Sequence, residues 1–289
     1  MFLIADSGST KTDWCLCNKG AIIQHIQTQG INPYHQSEEA IEEVLREELL
    51  PQLKAQSSHP NAQSPQPEVI FYGSGCANET ACKRVEEAIY KVLGTDHITI
   101  HSDLFGAARA LCGREEGIAC VLGTGSNSCL YNGKEIVANI PPLGYILGDE
   151  GSSAVLGRRL VGDCLKNQLP ETLRDEFLTE YNLTQEIILE KVYRQPLANR
   201  FLASLTPFLS KHREVPGIHK LLVESFTDFF VRNVKQYRRP WLPIHFVGSI
   251  AHAFSAELKE AAESLGMELG TILQSPMEGL IKYHTEEIM

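Results

Sequence analysis

One pattern occurs twice in this chain, and it restricts the fold more than any other feature. Near the N-terminus an apolar run ends in Asp6, passes through Ser7-Gly8-Ser9-Thr10-Lys11, and resumes as Thr12-Asp13-Trp14-Cys15-Leu16-Cys17. Asn18-Lys19-Gly20 then turns the chain into Ala21-Ile22-Ile23. Residues 118–134, IACVLGTGSNSCLYNGK, repeat the order: apolar run, Gly123-Thr124-Gly125-Ser126-Asn127, Ser-Cys-Leu-Tyr, and an Asn132-Gly133 turn. Runs of β formers bounded by Gly and Asn read as strands, and Asn-Gly is a strong two-residue hairpin signal. Strand, glycine loop, strand and turn thus recur about 115 residues apart, which predicts two related halves.

The first loop is not a P-loop. That motif needs Gly immediately before Lys-Ser/Thr and a helix after it, whereas Thr10 precedes Lys11 and the residues beyond are β formers. The dinucleotide fingerprint fails for the same reason. A glycine loop between strands can still bind phosphate, because successive backbone N–H groups form an anion-binding concavity. Ser9, Thr10 and Thr12 add hydroxyls, Lys11 adds charge, and Asp6 could hold Mg²⁺ through water, since that ion keeps most of its waters and takes one or two carboxylates. A tight hairpin with a solvated aspartate is the competing reading of the single loop; the second copy shifts the balance towards phosphate.

Composition excludes several classes. At 289 residues the chain suggests about two domains at ~150 residues each. A chain this long needs neither disulfides nor metals to hold a core. The net charge of −10, with no Lys/Arg stripe, argues against non-specific nucleic-acid binding. No uncharged apolar run reaches the ~18 residues of a membrane span, so neither membrane nor nucleic acid is an expected partner. The first residues lack a signal segment, and the expected location is the cytoplasm. None of the eight cysteines forms a C-x2-C pair, which predicts reduced structural thiols. Cys15 and Cys17, two apart in a strand, should share a face. The ten histidines show no metal-ligand spacing.

With these motifs in this order the chain resembles the N-acetylglucosamine kinase and BadF-type ATPase branch of the actin-like superfamily of sugar kinases, Hsp70 and actin. Asp6-Ser7-Gly8-Ser9-Thr10-Lys11-Thr12 resembles the first phosphate loop, where the family usually has D-G-G-G-T-K. Gly123-Thr124-Gly125-Ser126-Asn127 is similar to the second, Gly148-Asp149-Glu150-Gly151-Ser152 to the G-D-E-G-S stretch, and Ile244–Ile250, through Gly248-Ser249, to the adenosine motif. The resemblance implies an α/β fold of two duplicated actin-like (ribonuclease H-like) domains with a nucleotide and sugar cleft between them. The expected domains are 1–112 and 113–275, with a terminal helix over 276–289 returning to the first. The implied activity is ATP- and Mg²⁺-dependent phosphorylation of an amino sugar such as N-acetylglucosamine, N-acetylmuramic acid or glucosamine, at the 6-hydroxyl by resemblance alone. A homodimer is allowed.

The resemblance also distributes roles. Asp103, in Ile98-Thr-Ile-His-Ser-Asp103-Leu-Phe-Gly, corresponds to the family's catalytic base at a strand-to-helix junction; from the residues alone, Ser102 or Asp103 could equally cap the helix. Thr124 and Gly125 would touch both phosphate and sugar. Asp149 would accept hydrogen bonds from sugar hydroxyls, Asn32 would bind sugar unless Asn32-Pro33 is only a turn, and Ser74 would lie near the acetamido group. Two adjacent carboxylates should face different ways, leaving Glu150 to a helix-dipole role. Pro141-Pro142 stand where a family glycine often contributes a backbone contact, and the zinc-binding cysteines of the ROK branch are absent.

Elsewhere the chain is functionally quiet. A helix should start near Ser37 with Ile41, Val44, Leu45 and Leu49 on one side, and residues 54–68 form a Ser/Pro/Gln-rich loop. Residues 158–240 read as helical, with Phe226, Phe229, Phe230 and Val234 as a buried stripe. A final helix should open at Ser275-Pro276. Two other functions fit less well. An iron–sulfur activase needs cysteine ligands, which are scattered here. A non-catalytic nucleotide-gated sugar sensor should have lost Asp6 or Asp103, and both are present.

Overall fold

A computed structural model describes residues 1–8, 10–19, 21–55 and 66–285. Gly20, most of the 54–68 loop, the last four residues and the candidate phosphate ligand Ser9 lie outside the described residues. The chain forms two compact units: residues 1–114 with 276–289, and residues 115–275.

Unit 1 holds β1 (Phe2–Ser7), β2 (Lys11–Asn18), β3 (Ala21–Gln29), α1 (Glu38–Val44), α2 (Leu50–Ala55), β4 (Glu68–Gly73), α3 (Glu79–Leu93), β5 (Ile98–Ser102) and α4 (Asp103–Cys112). Its sheet runs β3-β2-β1-β4-β5. The hairpin strands pair antiparallel, and β4 and β5 add parallel to β1.

Unit 2 repeats the scheme with β6 (Glu116–Leu122), β7 (Ser126–Asn132), β8 (Ile136–Ile140), β9 (Ile244–Val247) and β10 (Leu269–Leu273). Its order, β8-β7-β6-β9-β10, matches strand for strand, with the same two antiparallel and two parallel pairings. Short helices α5 (Gly144–Leu147) and α6 (Ser153–Leu165) follow β8, then α7 (Glu171–Glu180), α8 (Gln185–Tyr193), α9 (Ala198–Ala203), α10 (Thr206–Lys211) and α11 (Pro216–Arg232). Then α12 (Ser249–Ala253) and α13 (Ser255–Ser264) separate β9 from β10. The terminal helix α14 (Met277–Thr285) belongs to unit 1.

Side-chain alternation explains how unit 1 is covered. Trp14 points from β2 to the face packed by Ile41, Leu45, Leu49 and α3. Cys15 and Cys17 share the opposite face with Ile4, Ile70 and Tyr72, where Met277, Leu280 and Ile281 of α14 cover them. All eight cysteines are free thiols. Ser37 caps α1 as read, but the helix widens into one π-helical turn over Leu45–Leu49. That bulge, a common single-turn insertion, keeps Ile41, Leu45 and Leu49 all buried on one side. In unit 2, Phe226, Phe229 and Phe230 of α11 are fully buried against Phe246 and the α13 leucine and alanines.

The second hairpin differs in detail from its Asn-Gly signal. Asn132 is the last residue of β7; its N–H donates to Glu135 O (3.1 Å), and its side-chain oxygen accepts from Lys134 and Glu135 N–H. Gly133 takes the left-handed φ of 90°. The asparagine thus braces the turn from the side instead of occupying its centre.

Candidate active site

In unit 1 the parallel strands β1, β4 and β5 end together, with Ser7 opposite Gly73 and Gly73 opposite Ser102. Open α/β sheets bind ligands outside such carboxyl ends, and three candidate residues emerge there: Asp6, Ser74 and Asp103. Ser102 caps α4, its Oγ accepting from Phe105 N–H at 3.3 Å. Asp103 is therefore the first helical residue and not the cap; its Oδ1 accepts from the N–H of Leu104 at 2.8 Å. Burial raises its pKa, partly offset by the N–H groups of Leu104 and of Asp103 itself.

The Asp6 carboxyl is also perturbed, pushed up from 3.8 to about 7 by burial, then by the negative charges of Asp103 and Asp13, with Lys11 opposing. Lys11 does not point freely at the loop: its Nζ pairs with Asp13 at 2.8 Å, and Gln27 donates to the other Asp13 oxygen. Although burial acts to raise it, these bonds hold the Asp13 pKa below its ordinary value. Asp6 itself has no ion pair or side-chain hydrogen bond among the described residues.

The first loop is closed by Gly8 N–H donating to Lys11 O (3.0 Å), and Gly30 N–H donates to Thr10 O. Thr10 is exposed at its tip. Thr12 is placed differently from its expected role as a phosphate donor. It is fully buried, sharing a 2.6 Å hydrogen bond with Ser7 Oγ and contacting Ile31 N–H and Gln29 O. In strand β2 it follows Lys11 with the opposite orientation, so its hydroxyl anchors the loop base and the loop does not present it. Ser7, which the sequence reading passed over, is its buried partner; the signal was Ser where the family usually has Gly.

Asn32 and Ser74 come together, Asn32 Nδ2 donating to Ser74 Oγ at 3.4 Å. Gly75 leaves room for this: a Cβ there would lie 2.1 Å from Asn32 Oδ1. The Asn-Pro turn is also formed, because Asn32 Oδ1 accepts from Tyr34 N–H. One side chain serves both arrangements.

Unit 2 gathers its motifs at the corresponding end of β6 and β9. Ser153 N–H and Oγ donate to Gly123 O, and Ala154 N–H donates to Thr124 O, so the start of α6 supports the second glycine loop. Gly248 has φ 126°, and a Cβ there would sit 2.2 Å from Leu122 O. Only glycine lets the Gly248-Ser249 turn lie against the end of β6. Asp149, at a left-handed φ of 51°, reaches the same loop: Ser126 N–H donates to its Oδ1 at 3.4 Å. Any Cβ on Gly125 would lie 3.1 Å from its Oδ2. Burial pushes its pKa up to about 6, opposed by the Ser126 bond and reinforced by Glu150.

Glu150 turns the other way, to Arg232 Nε (2.6 Å) and Asn233 Nδ2 (3.2 Å), so an ion pair with the end of α11 replaces the expected dipole role. Pro142 also has a structural use: its carbonyl accepts the Asp149 N–H at 2.8 Å and lies where a Gly148 Cβ would fall. Among the described residues no group of three or more His, Cys, Asp or Glu side chains is arranged to hold a metal, and no helix is long and apolar enough to cross a membrane.

Two sheets of identical strand order, each carrying a glycine hairpin beside its first strand, define an actin-like α/β protein. No protein-family model and no curated protein matches the chain. Among solved structures, a candidate N-acetylglucosamine kinase from Porphyromonas gingivalis is similar over 100% of both chains at 49% identity and TM-score 0.94. A second candidate N-acetylglucosamine kinase, from Chromobacterium violaceum, shares the fold over 98% of this chain and 99% of its own, at 18% identity and TM-score 0.74. The ROK hexokinase of Thermus thermophilus shares it over 100% and 99%, at 11% identity and TM-score 0.56. The chain belongs to the N-acetylglucosamine kinase/BadF-type ATPase family of the actin-like superfamily. Its fold is that of the superfamily's sugar kinases.

Proposed function

We propose that this protein transfers the γ-phosphoryl group of ATP to a hydroxyl of an amino sugar, with N-acetylglucosamine the first choice and the 6-hydroxyl the acceptor. The observation that supports this most is Asp103: a carboxylate at the first turn of α4, relieved of capping by Ser102 and raised in pKa by burial. A general base works best when its pKa approaches the working pH, and in this reading Asp103 takes the proton of the attacking hydroxyl. Asn32, Ser74 and Asp149 hold the sugar, together with Thr124 and Gly125. Gly8, Thr10 and Lys11 of one loop, and Thr124 and Gly125 of the other, serve the phosphates, while Gly248-Ser249 serves the nucleoside. Thr12 and Ser7 keep the first loop in shape.

Asp6 fits a magnesium role. Its carboxylate is unpaired and crowded by Asp103 and Asp13, an arrangement that a cation relieves. Asp6 would hold Mg²⁺ through water, and the ion would supply neutralisation of phosphate charge there. Lys11, shared with Asp13, contributes charge at lower strength. The 49% identity to a candidate N-acetylglucosamine kinase supports the choice of sugar.

The test is coupled ADP release from ATP over N-acetylglucosamine, N-acetylmuramic acid, glucosamine, N-acetylmannosamine and glucose, for wild type and Asp103→Asn. The expected result is turnover on an N-acetylated amino sugar that the variant loses. ADP release on none of the sugars, or an unimpaired variant, overturns the reading.

A further inference from the structure

The unit 2 sheet also has a far end, away from the glycine loops. There a cavity of about 320 Å³ opens beside the start of β9. Its walls are apolar: Ile118 of β6, Ile244 at the first position of β9, Leu242 and Met267. Lys235, Arg238 and Arg239 also line it, with Glu268 as the one lining carboxylate. In a chain with 36 acidic and 26 basic residues, three cations within five positions are conspicuous. Among the described residues none of the three forms an ion pair; Arg239 instead lies over the Trp241 ring, 5.6 Å from its centroid. Arg238 occupies the left-handed backbone region at φ 55°, ψ 43°, which costs a non-glycine residue roughly 1–2 kcal/mol. Cations near the end of α11 also complement its dipole, and the left-handed Arg238 caps the Val234–Tyr237 turn, but neither role explains the apolar cavity.

We propose that this cavity binds a small organic anion: a carboxylate or phosphate monoester on an aliphatic or aromatic body. The volume is near the lower end of the ~300–1,000 Å³ of small-molecule sites. It admits on the order of ten non-hydrogen atoms at ~30 Å³ each. The apolar walls take the body and the cations take the head. Ile244 and Gly248 stand at opposite ends of the β9 segment, so this site is separate from the phosphate loops and does not depend on the kinase reading.

Octanoate, octyl phosphate and 1-octanol share a chain and differ in the head. Each is titrated into the full-length protein while Trp241 emission is followed, with Trp241→Phe as the signal control and equilibrium dialysis as an independent measure. One or both anions should bind saturably and at least tenfold more tightly than octanol, and the tighter anion names the head group. The double variant Lys235→Ala/Arg238→Ala should weaken the anions about tenfold, several-fold per partly exposed cation, and leave octanol within twofold. Leu242→Phe, which narrows the cavity, should weaken all three. Absence of saturable binding by dialysis overturns the site. Equal binding of octanol and the anions, untouched by the double variant, overturns its anion preference.

Discussion

Replacing Asp6 with Asn should stabilise the ligand-free protein while disabling it. The carboxyl pKa of Asp6 is raised from 3.8 to about 7 by burial and by the neighbouring carboxylates Asp103 and Asp13. A folded-state value above the unfolded one means that the protonated form favours folding. That stability is fully present below about pH 4 and is lost as pH rises through about 7. A shift of about three units at ~1.36 kcal/mol each sets a ceiling of about 4 kcal/mol for ionised Asp6. Solvent and protein relaxation, reflected in an effective dielectric constant near 20, should halve it to about 2 kcal/mol. Asn keeps the shape and carries no charge. At roughly 2–4 °C per kcal/mol for domains of this size, Asp6→Asn should melt about 4–8 °C above wild type at pH 8. At pH 5, where only part of the penalty has developed, the gap should be smaller. Thermal scans of both proteins from pH 5 to pH 8, without and with Mg²⁺, measure it directly. Mg²⁺ should raise wild type at pH 8 and leave the variant unmoved. An Asn variant less stable than wild type at pH 8, or a gap that ignores pH, would refute the charge-crowding reasoning.

Asp103→Asn should lower sugar phosphorylation by roughly 10²- to 10⁴-fold, the usual loss for a positioned base, with no loss of Tm. Ser102→Ala should show the reverse, losing about 1 kcal/mol of stability as a cap and little turnover; rates and melting curves on the pair separate the roles. Gly248→Ala places a methyl 2.2 Å from Leu122 O and should cost at least about 2 kcal/mol, seen as a lower Tm and faster hydrogen exchange across residues 122–126. An ATP analogue with sugar should slow hydrogen exchange in both glycine hairpins, and slowing confined to one of them counts against a shared phosphate role.

What the sequence made legible was local. The two hairpins could be read because Gly, Asn and alternating β formers act within a few residues, and the Phe226–Phe230 stripe because helical period reports burial. The neighbours of each strand, and the destinations of charged side chains, depend on residues far away in the chain. That Glu150 meets Arg232 is an outcome of packing that no short window contains, whereas the Lys11–Asp13 and Ser7–Thr12 pairs lie within one hairpin and follow from its register. Ser102 and Asp103 were each plausible caps; one backbone geometry decides between them. The π-helical turn at Leu45–Leu49 is legible only in hindsight, since its apolar spacing also suits an ordinary helix.

The placement of α14 bears on how the protein is made. The face of unit 1 formed by Ile4, Cys15, Cys17 and Ile70 is covered by Met277, Leu280 and Ile281, which are synthesised after all of unit 2. A ribosome adding ~5–20 residues per second therefore leaves that face covered only in part, by Phe105 and Ala110 of α4, for roughly ten seconds or more, while the contiguous second unit can already fold. Stop codons just before residue 276 should yield a chain that aggregates more readily than the full-length protein, since they remove Met277, Leu280 and Ile281 from that face.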